Sequence, residues 1–411
     1  MKKCGLLGEK LSHSFSPQIH SCLGDYSYDL FEKDKDEVES FMQNKPFDGI
    51  NVTIPYKKTV VPFMDELSDS AKRLGSVNTV VKREDGTLFG HNTDYFGFSY
   101  MVEKSGIIPK GKKVLVLGSG GASVTVCAVL RDMGAGEVIV ISRSGENNYE
   151  NISRHGDAEV IVNTTPVGMY PHPGASPIVL SDFKKCEGVL DLIYNPYKTA
   201  LLLEAENLGI PHANGLTMLV AQAKESAEYF GGKALPFSVI DSVTASLSMK
   251  QKNIVLIGMP GSGKSTLGKK LAEITGRKFM DADEAICEKA GCSIPEIFKE
   301  SGEAGFRKIE TEVLTTLGMQ SGLVLATGGG CITREENYPL LHQNGVIFWI
   351  KRDIETLPRD GRPLSEKADL HQMYEIRRPL YERFADFTVE NRFETEDIAE
   401  RVLSIYENSC H

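Results

Sequence analysis

The sequence predicts an α/β protein whose parallel sheets are built from alternating strands and helices. Its 411 residues are too many for one ordinary hydrophobic core, since domains commonly span roughly 100–150 residues. Two glycine-rich loops, at residues 118–123 and 258–265, each follow an apolar strand-like run and precede a helix-like segment. Strands that alternate with helices indicate a parallel sheet. We therefore expect about three folding units and two separate nucleotide sites.

The composition argues against several classes of protein. The net charge is −10, of which residues 1–248 carry −6 and residues 249–411 carry −4, so neither half resembles a nucleic-acid binder. No stretch approaches the ~18 apolar residues of a membrane span, and no secretory signal begins the chain. We expect a cytoplasmic protein. The eight cysteines are scattered, and the close pair Cys287 and Cys292 has no further ligand at metal-binding spacing, so free and mostly buried thiols are expected.

Residues 1–97 mix short strands, such as 49–54, with polar loops and contain no phosphate loop, which suggests a substrate domain. The hydroxyls of the segment 12–20 could hold an anion or could only cap a helix. Lys57 follows a buried-looking strand, and Asp94 ends a polar loop. They could form a proton-handling pair, or they could be a solvated lysine and a capping aspartate.

From about Pro109 the pattern becomes that of a Rossmann unit, with strands expected at 113–117, 136–141 and 158–162. In such a unit the glycines let the backbone approach a pyrophosphate at a helix N-terminus. Here the sixth motif position is Ser123 rather than Gly or Ala. The second strand ends in Ser142-Arg143-Ser144 and lacks the acid that binds the NAD ribose. An arginine flanked by hydroxyls favours a 2′-phosphate, and hence NADP, although a plain surface arginine is the alternative.

Helices are expected at 216–230 and from 237 to about 247, and residues 250–252 form the only obvious linker. The strand expected at 253–257 then leads into Gly258–Ser265, which fits the nucleoside-triphosphate loop at every fixed position. In this loop Lys264 would reach the β- and γ-phosphates and Ser265 would bind magnesium.

Two carboxylates and three arginines follow this loop. Asp281 and Asp283 come after the strand expected at 277–280, where they could arrange metal-bound water and accept a hydroxyl proton, or could serve only as caps. Arg307, Arg362 and Arg377 are either anion clamps or ordinary surface arginines.

Residues 1–248 resemble the shikimate dehydrogenase family. The matching segments are Ser14-Phe15-Ser16-Pro17, 51–57, Ser76-Val77-Asn78-Thr79, Asn92-Thr93-Asp94, 118–123, Ser142-Arg143-Ser144, 163–169 and 215–222. The resemblance implies NADPH-dependent reduction of 3-dehydroshikimate to shikimate. It also implies a substrate domain at 1–97, completed by helices at 215–248, and an NADP-binding Rossmann domain at 98–214.

The same resemblance assigns residues. Lys57 and Asp94 become the catalytic pair. The substrate would be bound by Ser14, Ser16, Thr53, Asn78, Tyr194 and Gln222. The coenzyme would be bound by Gly118, Ser119, Gly120, Gly121, Ala122, Ser142, Arg143, Ser144, Thr164 and Gly215.

The sequence departs from the pattern of this family at two places. Only 19 residues separate Arg143 from Asn163, too few for the full crossover helix that the family implies. We therefore expect a trimmed Rossmann half. Tyr95 follows Asp94 where the family commonly has glycine, which affects the packing of that loop.

Residues 249–411 resemble shikimate kinase, with a P-loop domain and a parallel sheet. The resemblance implies that Asp283 contacts the acceptor hydroxyl, that Asp281 and Ser265 serve Mg²⁺, and that Arg307 and Arg377 grip the shikimate carboxylate. ATP would be bound by Gly261, Ser262, Gly263, Lys264, Ser265 and Thr266, and the substrate pocket would be lined by Gly328, Gly329 and Gly330. Arg362 would come from a mobile lid and act on the transferring phosphoryl group. The lid is shorter than the family implies, so Arg359 receives no role.

Together the two halves predict a bifunctional enzyme of aromatic-precursor biosynthesis that uses NADP(H), ATP and Mg²⁺. Its partners would be the small molecules 3-dehydroshikimate and shikimate, with neither nucleic acid nor membrane. One alternative is an NAD-dependent quinate or shikimate dehydrogenase fused to a kinase. Another is a non-catalytic shikimate sensor, which predicts lost catalytic residues, whereas Lys57, Asp94, Lys264, Ser265, Asp283 and Arg307 are all present.

Overall fold

The computed structural model describes residues 1–11, 14–357 and 370–410. The chain folds into two compact units. The first unit contains Met1–Gly168, Ala175–Tyr194 and Glu204–Thr244, and the second contains Met169–Gly174, Asn195–Leu203 and Ala245–His411. Among the described helices, none is long and apolar enough to cross a membrane.

The first unit begins with a mixed six-stranded sheet of order β2-β1-β3-β5-β6-β4. Its strands are β1 Lys3–Gly8, β2 Ser27–Glu32, β3 Gly49–Val52, β4 Glu66–Leu67, β5 Thr79–Lys82 and β6 Leu88–His91, and its helices are α1 Ser16–His20, α2 Val38–Asn44 and α3 Asp69–Leu74. β1 pairs in parallel with β2 and β3, whereas β5 runs antiparallel to β3 and β6. β3 is buried at all four positions because it lies inside the sheet. We call this sheet and its helices the first lobe.

A five-stranded parallel sheet of order β11-β10-β9-β7-β8 forms the second lobe. Its strands are β7 Lys113–Leu117, β8 Glu137–Ile141, β9 Val160–Asn163, β10 Gly188–Asp191 and β11 His212–Ala213. The helices along this part of the chain are α4 Asp94–Ser105, α5 Gly121–Asp132, α6 Ala200–Asn207, α7 Leu216–Gly231 and α8 Ser238–Gln251. The predicted strands at 113–117, 136–141 and 158–162 are confirmed within two residues at each end.

The trimmed Rossmann half is also confirmed. The segment between β8 and β9 contains a single 3₁₀ turn, Ile152–His155, in place of an α-helix. The remaining loop is held by its own asparagines: Asn148 and Asn151 exchange side-chain and backbone hydrogen bonds at 2.9 and 3.2 Å.

The second unit is built on a five-stranded parallel sheet of order β13-β14-β12-β15-β16. Its strands are β12 Asn253–Ile257, β13 Lys278–Asp281, β14 Leu323–Ala326, β15 Gly345–Lys351 and β16 Phe387–Glu390. Its helices are α9 Lys264–Thr275, α10 Ala282–Ala290, α11 Ile294–Gly318, α12 Asn337–His342, α13 Leu370–Phe384 and α14 Thr395–Asn408. Apolar clusters pack on both sheet faces, so β12 is buried at every position.

The expected linker at 250–252 is wrong, because α8 continues to Gln251 and β12 begins at Asn253. Lysine and glutamine are good helix formers, and the Lys252 amide still donates to the Ser248 carbonyl at 2.9 Å. The Arg277 guanidinium also donates to the carbonyls of Met249 and Lys252, which satisfies the end of the helix.

All eight cysteines are free thiols. Cys4, Cys127, Cys331 and Cys410 are buried and Cys22 is exposed, so the buried thiols are half of the eight rather than most of them.

Candidate active sites

The central feature of the first unit is an ion pair between Lys57 and Asp94. Lys57 Nζ lies 2.5 Å from Asp94 Oδ2, and their side chains are 30% and 15% exposed. Asp94 opens α4, where the positive end of the helix dipole stabilises a carboxylate. Two residues that are distant in sequence are thus brought together as the resemblance implies.

A cavity of about 680 Å³ surrounds this pair. Each residue assigned to the dehydrogenase substrate lines it, together with the catalytic pair: Ser14, Ser16, Thr53, Lys57, Asn78, Asp94, Tyr194 and Gln222. Gly215, which was assigned to the coenzyme, lines the same cavity. Lys10 and Asn51 line it too and were missed, although each lies just beyond or within a strand that enters the site.

A buried hydrogen-bond network holds Asp94 from behind. Asn78 Nδ2 donates to Asp94 Oδ1 at 2.9 Å, and the Thr93 amide donates to Asn78 Oδ1 at 2.8 Å, which fixes the orientation of the Asn78 amide. Ser226 Oγ on α7 lies 2.9 Å from Thr79 Oγ1 and 3.1 Å from Thr93 Oγ1. Helix α7 therefore supports the Asp94 carboxylate through this network, and sequence reasoning gave Ser226 no role.

Ser14 is engaged locally, since its Oγ accepts from the Ser16 amide at 3.2 Å. Phe15 is the N-cap of α1 and makes no side-chain cap bond. The two hydroxyls therefore reach the cavity from a short turn. Ser12 and His13, quoted in the same cluster, lie outside the described residues.

Apart from Gly215, the predicted coenzyme residues lie at one edge of the second lobe. In the parallel register Leu117 pairs with Ile141 and with Asn163, so the residues that follow the three strands lie side by side. These residues are Gly118, Ser142 and Thr164. The Gly118 amide donates to the Ile141 carbonyl at 2.8 Å, and Thr164 Oγ1 donates to the Leu117 carbonyl at 2.7 Å.

This edge fits a dinucleotide. Gly118 has φ +101°, a left-handed value that favours glycine, and Gly120 is the N-cap of α5. Ser119, Gly120, Gly121 and Ala122 are all exposed, and no atom lies within 4 Å of a methyl group built on Gly120 or Gly121. Arg143 and Ser144 are exposed beside this loop. The open amides and the nearby cation suit a phosphate.

The second unit carries the nucleoside-triphosphate loop between β12 and α9. Lys264 Nζ donates to the carbonyls of Gly258 and Met259, each at 2.9 Å, so the lysine folds back along its own loop. Gly261, Gly263, Lys264, Ser265 and Thr266 line a cavity of about 650 Å³. Ser262 does not line it, because its side chain is buried against Gly258.

Oxygen ligands suited to magnesium lie beside this loop. Ser265 Oγ donates to Asp281 Oδ2 at 2.6 Å, and Asp281 is also the N-cap of α10, accepting from the Asp283 amide at 3.0 Å. Hydroxyl and carboxylate oxygens are hard ligands that Mg²⁺ prefers, so the residues fit the ion. Capping and ligand roles are thus compatible for Asp281, while Asp283 lines the cavity.

The two arginines and the three glycines predicted to bind the substrate line the same cavity. Arg307 and Arg377 line the cavity and are 6% and 8% exposed, which excludes an ordinary surface position for both. A methyl group on Gly330 would clash with Arg307, and methyl groups on Gly328 and Gly329 would meet Asp283 and Pro260. The glycine run therefore lets these functional side chains approach the backbone.

Glu310 is the main kinase residue that sequence reasoning missed. Its Oε2 lies 2.7 Å from Arg307 Nη1, its side chain is fully buried, and it lines the cavity. Burial raises the pKa of Glu310 above its usual value, and the facing Arg307 opposes that rise. The spacing could have indicated this contact. Glu310 follows Arg307 by three residues on α11, and side chains at i and i+3 are neighbours on a helix.

A second cavity of about 610 Å³ adjoins the phosphate loop and shares Gly263, Thr266 and Arg352 with the first. Asn391, which was missed, lines it and donates to the Ser262 carbonyl at 2.6 Å. Arg362, the predicted lid residue, and Arg359 lie outside the described residues.

Comparisons with known proteins agree for each half. A family model described as the shikimate dehydrogenase substrate binding domain matches residues 6–80, and one described as shikimate kinase matches residues 260–407. A "Shikimate dehydrogenase (NADP(+))" of Clostridium perfringens strain SM101 is 35% identical over 271 residues, which cover 61% of this chain and 100% of that protein.

Solved structures give the same result for the first half. Shikimate dehydrogenase 1 from Peptoclostridium difficile has a TM-score of 0.56 at 36% identity, covering 60% of this chain and 98% of that one. Shikimate 5-dehydrogenase from Thermus thermophilus, in complex with NADP(H) and shikimate, has a TM-score of 0.55 at 31% identity, covering 59% and 98%. The chain therefore belongs to the shikimate dehydrogenase family and carries, after that region, a shikimate kinase domain.

Proposed function

We propose that this bifunctional shikimate-pathway enzyme reduces 3-dehydroshikimate to shikimate with NADPH and then phosphorylates shikimate to shikimate 3-phosphate with ATP and Mg²⁺. One observation carries the proposal: each unit holds a different and separate catalytic set. The first has the Lys57–Asp94 pair in its cavity, and the second has the phosphate loop facing Arg307. In this proposal residues 1–97 with 215–248 bind the first substrate, 98–214 bind NADP, and 249–411 form the kinase.

In the reduction, the nicotinamide coenzyme supplies a hydride to the ketone carbon. Lys57 Nζ, which is paired with Asp94, donates a proton to the alkoxide oxygen that develops. Because the lysine is 30% exposed, it can regain that proton from solvent. Ser14 and Ser16 bind the carboxylate, and the ring hydroxyls are bound by Thr53, Asn78, Tyr194 and Gln222.

In the phosphorylation, Asp283 accepts the proton of the attacking hydroxyl. Lys264 and the ion site of Ser265 and Asp281 offset negative charge on the phosphates, and Arg307 and Arg377 hold the shikimate carboxylate. Glu310 supports this step because its carboxylate fixes the Arg307 guanidinium. We also propose that Arg362 belongs to a lid and acts on the transferring phosphoryl group.

Arg143 beside the open phosphate edge supports NADP over NAD, so we expect faster turnover with NADPH than with NADH. The use of NADPH and ATP, both supplied in the cytoplasm, supports the cytoplasmic location expected from the sequence.

A one-pot assay with dehydroshikimate, NADPH and MgATP tests both activities. We expect shikimate 3-phosphate from the unaltered chain. Lys57→Ala should abolish NADPH oxidation and still phosphorylate added shikimate, whereas Lys264→Ala should accumulate shikimate. Each variant thus serves as the control for the other. Shikimate that accumulates unphosphorylated with the unaltered chain would reject the kinase half, and unoxidised NADPH would reject the dehydrogenase half.

A further inference from the structure

Three side chains join the two lobes of the first unit beside Asp94. Arg73, on α3 of the first lobe, makes a two-pronged contact with Asp132, the last residue of α5 in the second lobe, at 2.5 and 2.8 Å. Tyr95 Oη donates to the same carboxylate at 2.6 Å. We call Arg73, Tyr95 and Asp132 the inter-lobe cluster.

Tyr95 links this cluster to the reaction centre. It directly follows Asp94 in the first turn of α4, and successive residues on a helix project about 100° apart. Asp94 therefore faces the cavity and Lys57, while Tyr95 packs against the apolar core of the second lobe. The position at which the sequence departs from the family pattern thus carries a specific contact.

The geometry of the cluster makes it stronger than an ordinary surface ion pair. Exposed pairs usually contribute little, but two parallel N–H···O bonds with a third donor form an oriented network. Hydrogen bonds from Arg73, and then from Tyr95, lower the pKa of Asp132 to about 2. The two donors therefore stabilise the ionised form of the carboxylate.

The two reactants belong to different lobes. Thr53 and Lys57 enter the substrate cavity from the first lobe, whereas Gly118 and Arg143 lie at the edge of the second sheet. Hydride transfer depends steeply on the separation of donor and acceptor, and a misplacement of about 1 Å can cost ~100-fold. We propose that Arg73, Tyr95 and Asp132 are positioning residues that fix the distance between the lobes for hydride transfer.

This inference rests on the proposed dehydrogenase activity, and its test uses the full chain. Tyr95→Phe and Asp132→Ala should each lower the dehydrogenase kcat about tenfold. The isotope effect with deuterated NADPH should rise as hydride transfer becomes limiting. By calorimetry, the Kd of NADPH alone and of shikimate alone should change by less than about twofold, because most of the residues that bind each ligand belong to one lobe. Kinase turnover of the same samples should stay unchanged.

Hydrogen exchange provides a second test that needs no coenzyme. Hydrogen exchange in Asp69–Leu74 should accelerate in Asp132→Ala, because α3 loses its anchor on α5. The matched control is Arg83→Ala, which breaks a 2.7 Å pair with Glu66 that lies within the first lobe. It should alter neither the exchange nor kcat. The swapped pair Arg73→Asp with Asp132→Arg should recover most of the kcat that either single change loses.

The outcomes separate the two proposals. An unaltered chain that does not oxidise NADPH rejects the dehydrogenase function itself. If the unaltered chain oxidises NADPH and the Tyr95→Phe and Asp132→Ala variants have the same kcat and isotope effect as the unaltered chain, only the positioning role is rejected. The positioning role is also rejected if kcat falls and the affinities for NADPH alone and for shikimate alone fall by the same factor. That result would indicate general distortion.

Discussion

At the scale of single residues, the burial of an ionisable group makes the stability of the fold depend on pH. His20 is 1% exposed, stacks on Tyr28 at 4.0 Å, and places Nδ1 2.7 Å from Tyr26 Oη. Burial lowers the pKa of His20 to about 3. The ring is therefore neutral in the folded protein at pH values where an unfolded histidine is charged.

The sign of the resulting pH dependence follows from proton counting. Between about pH 6.5 and pH 3 the unfolded chain binds a proton at His20 that the folded chain does not, so stability falls as pH falls. We expect this group to contribute a slope of about 1.4 kcal/mol per pH unit to the first unit. His20→Gln should remove that slope in urea unfolding measured from about pH 6 to about pH 4.5.

The partly exposed His212 of the first unit provides the control, because His212→Gln should leave the slope unchanged. An unaltered slope in His20→Gln would show that other groups cause the acid sensitivity.

At the scale of elements, α11 is two helices joined at Gly302, which has φ +66° and ψ −172°. Ser293, Ile294 and Phe298, at the N-terminal end, line the kinase cavity, and the second half carries Arg307 and Glu310. The bend therefore lets both halves of α11 contribute side chains to the same cavity.

Gly302→Ala tests this bend. The backbone conformation is almost exclusive to glycine, so alanine should cost about 1–3 kcal/mol of stability in the second unit. No atom lies within 4 Å of the added methyl group, so the cost is conformational rather than steric. Chemical unfolding of the second unit measures it. The exposed Lys299→Ala should change stability by less than about 0.5 kcal/mol. A neutral Gly302→Ala would contradict the strain.

At the scale of the whole molecule, the chain holds separate apolar cores and separate ligand cavities in its two units. A ligand stabilises the unit that binds it, by about 2.7 kcal/mol at about a hundred times its Kd. In calorimetry we expect NADPH to raise the unfolding temperature of the first unit and MgATP that of the second.

Lys264→Ala should abolish the shift caused by MgATP and leave the shift caused by NADPH. If either ligand raised both transitions equally, the assignment of one nucleotide to each unit would be wrong.

The α/β architecture, both glycine-rich loops and many of the residues that line the two main cavities could be predicted from the sequence. Glycine loops, strand ends and capping positions depend on neighbours in the chain, so local chemistry specifies them. The packed structure was needed to show that Ser226 supports Asp94, that Glu310 pairs with Arg307 and that Arg73 pairs with Asp132. Most of these contacts join residues far apart in the chain, and strand order and helix packing, rather than local pattern, bring such residues together.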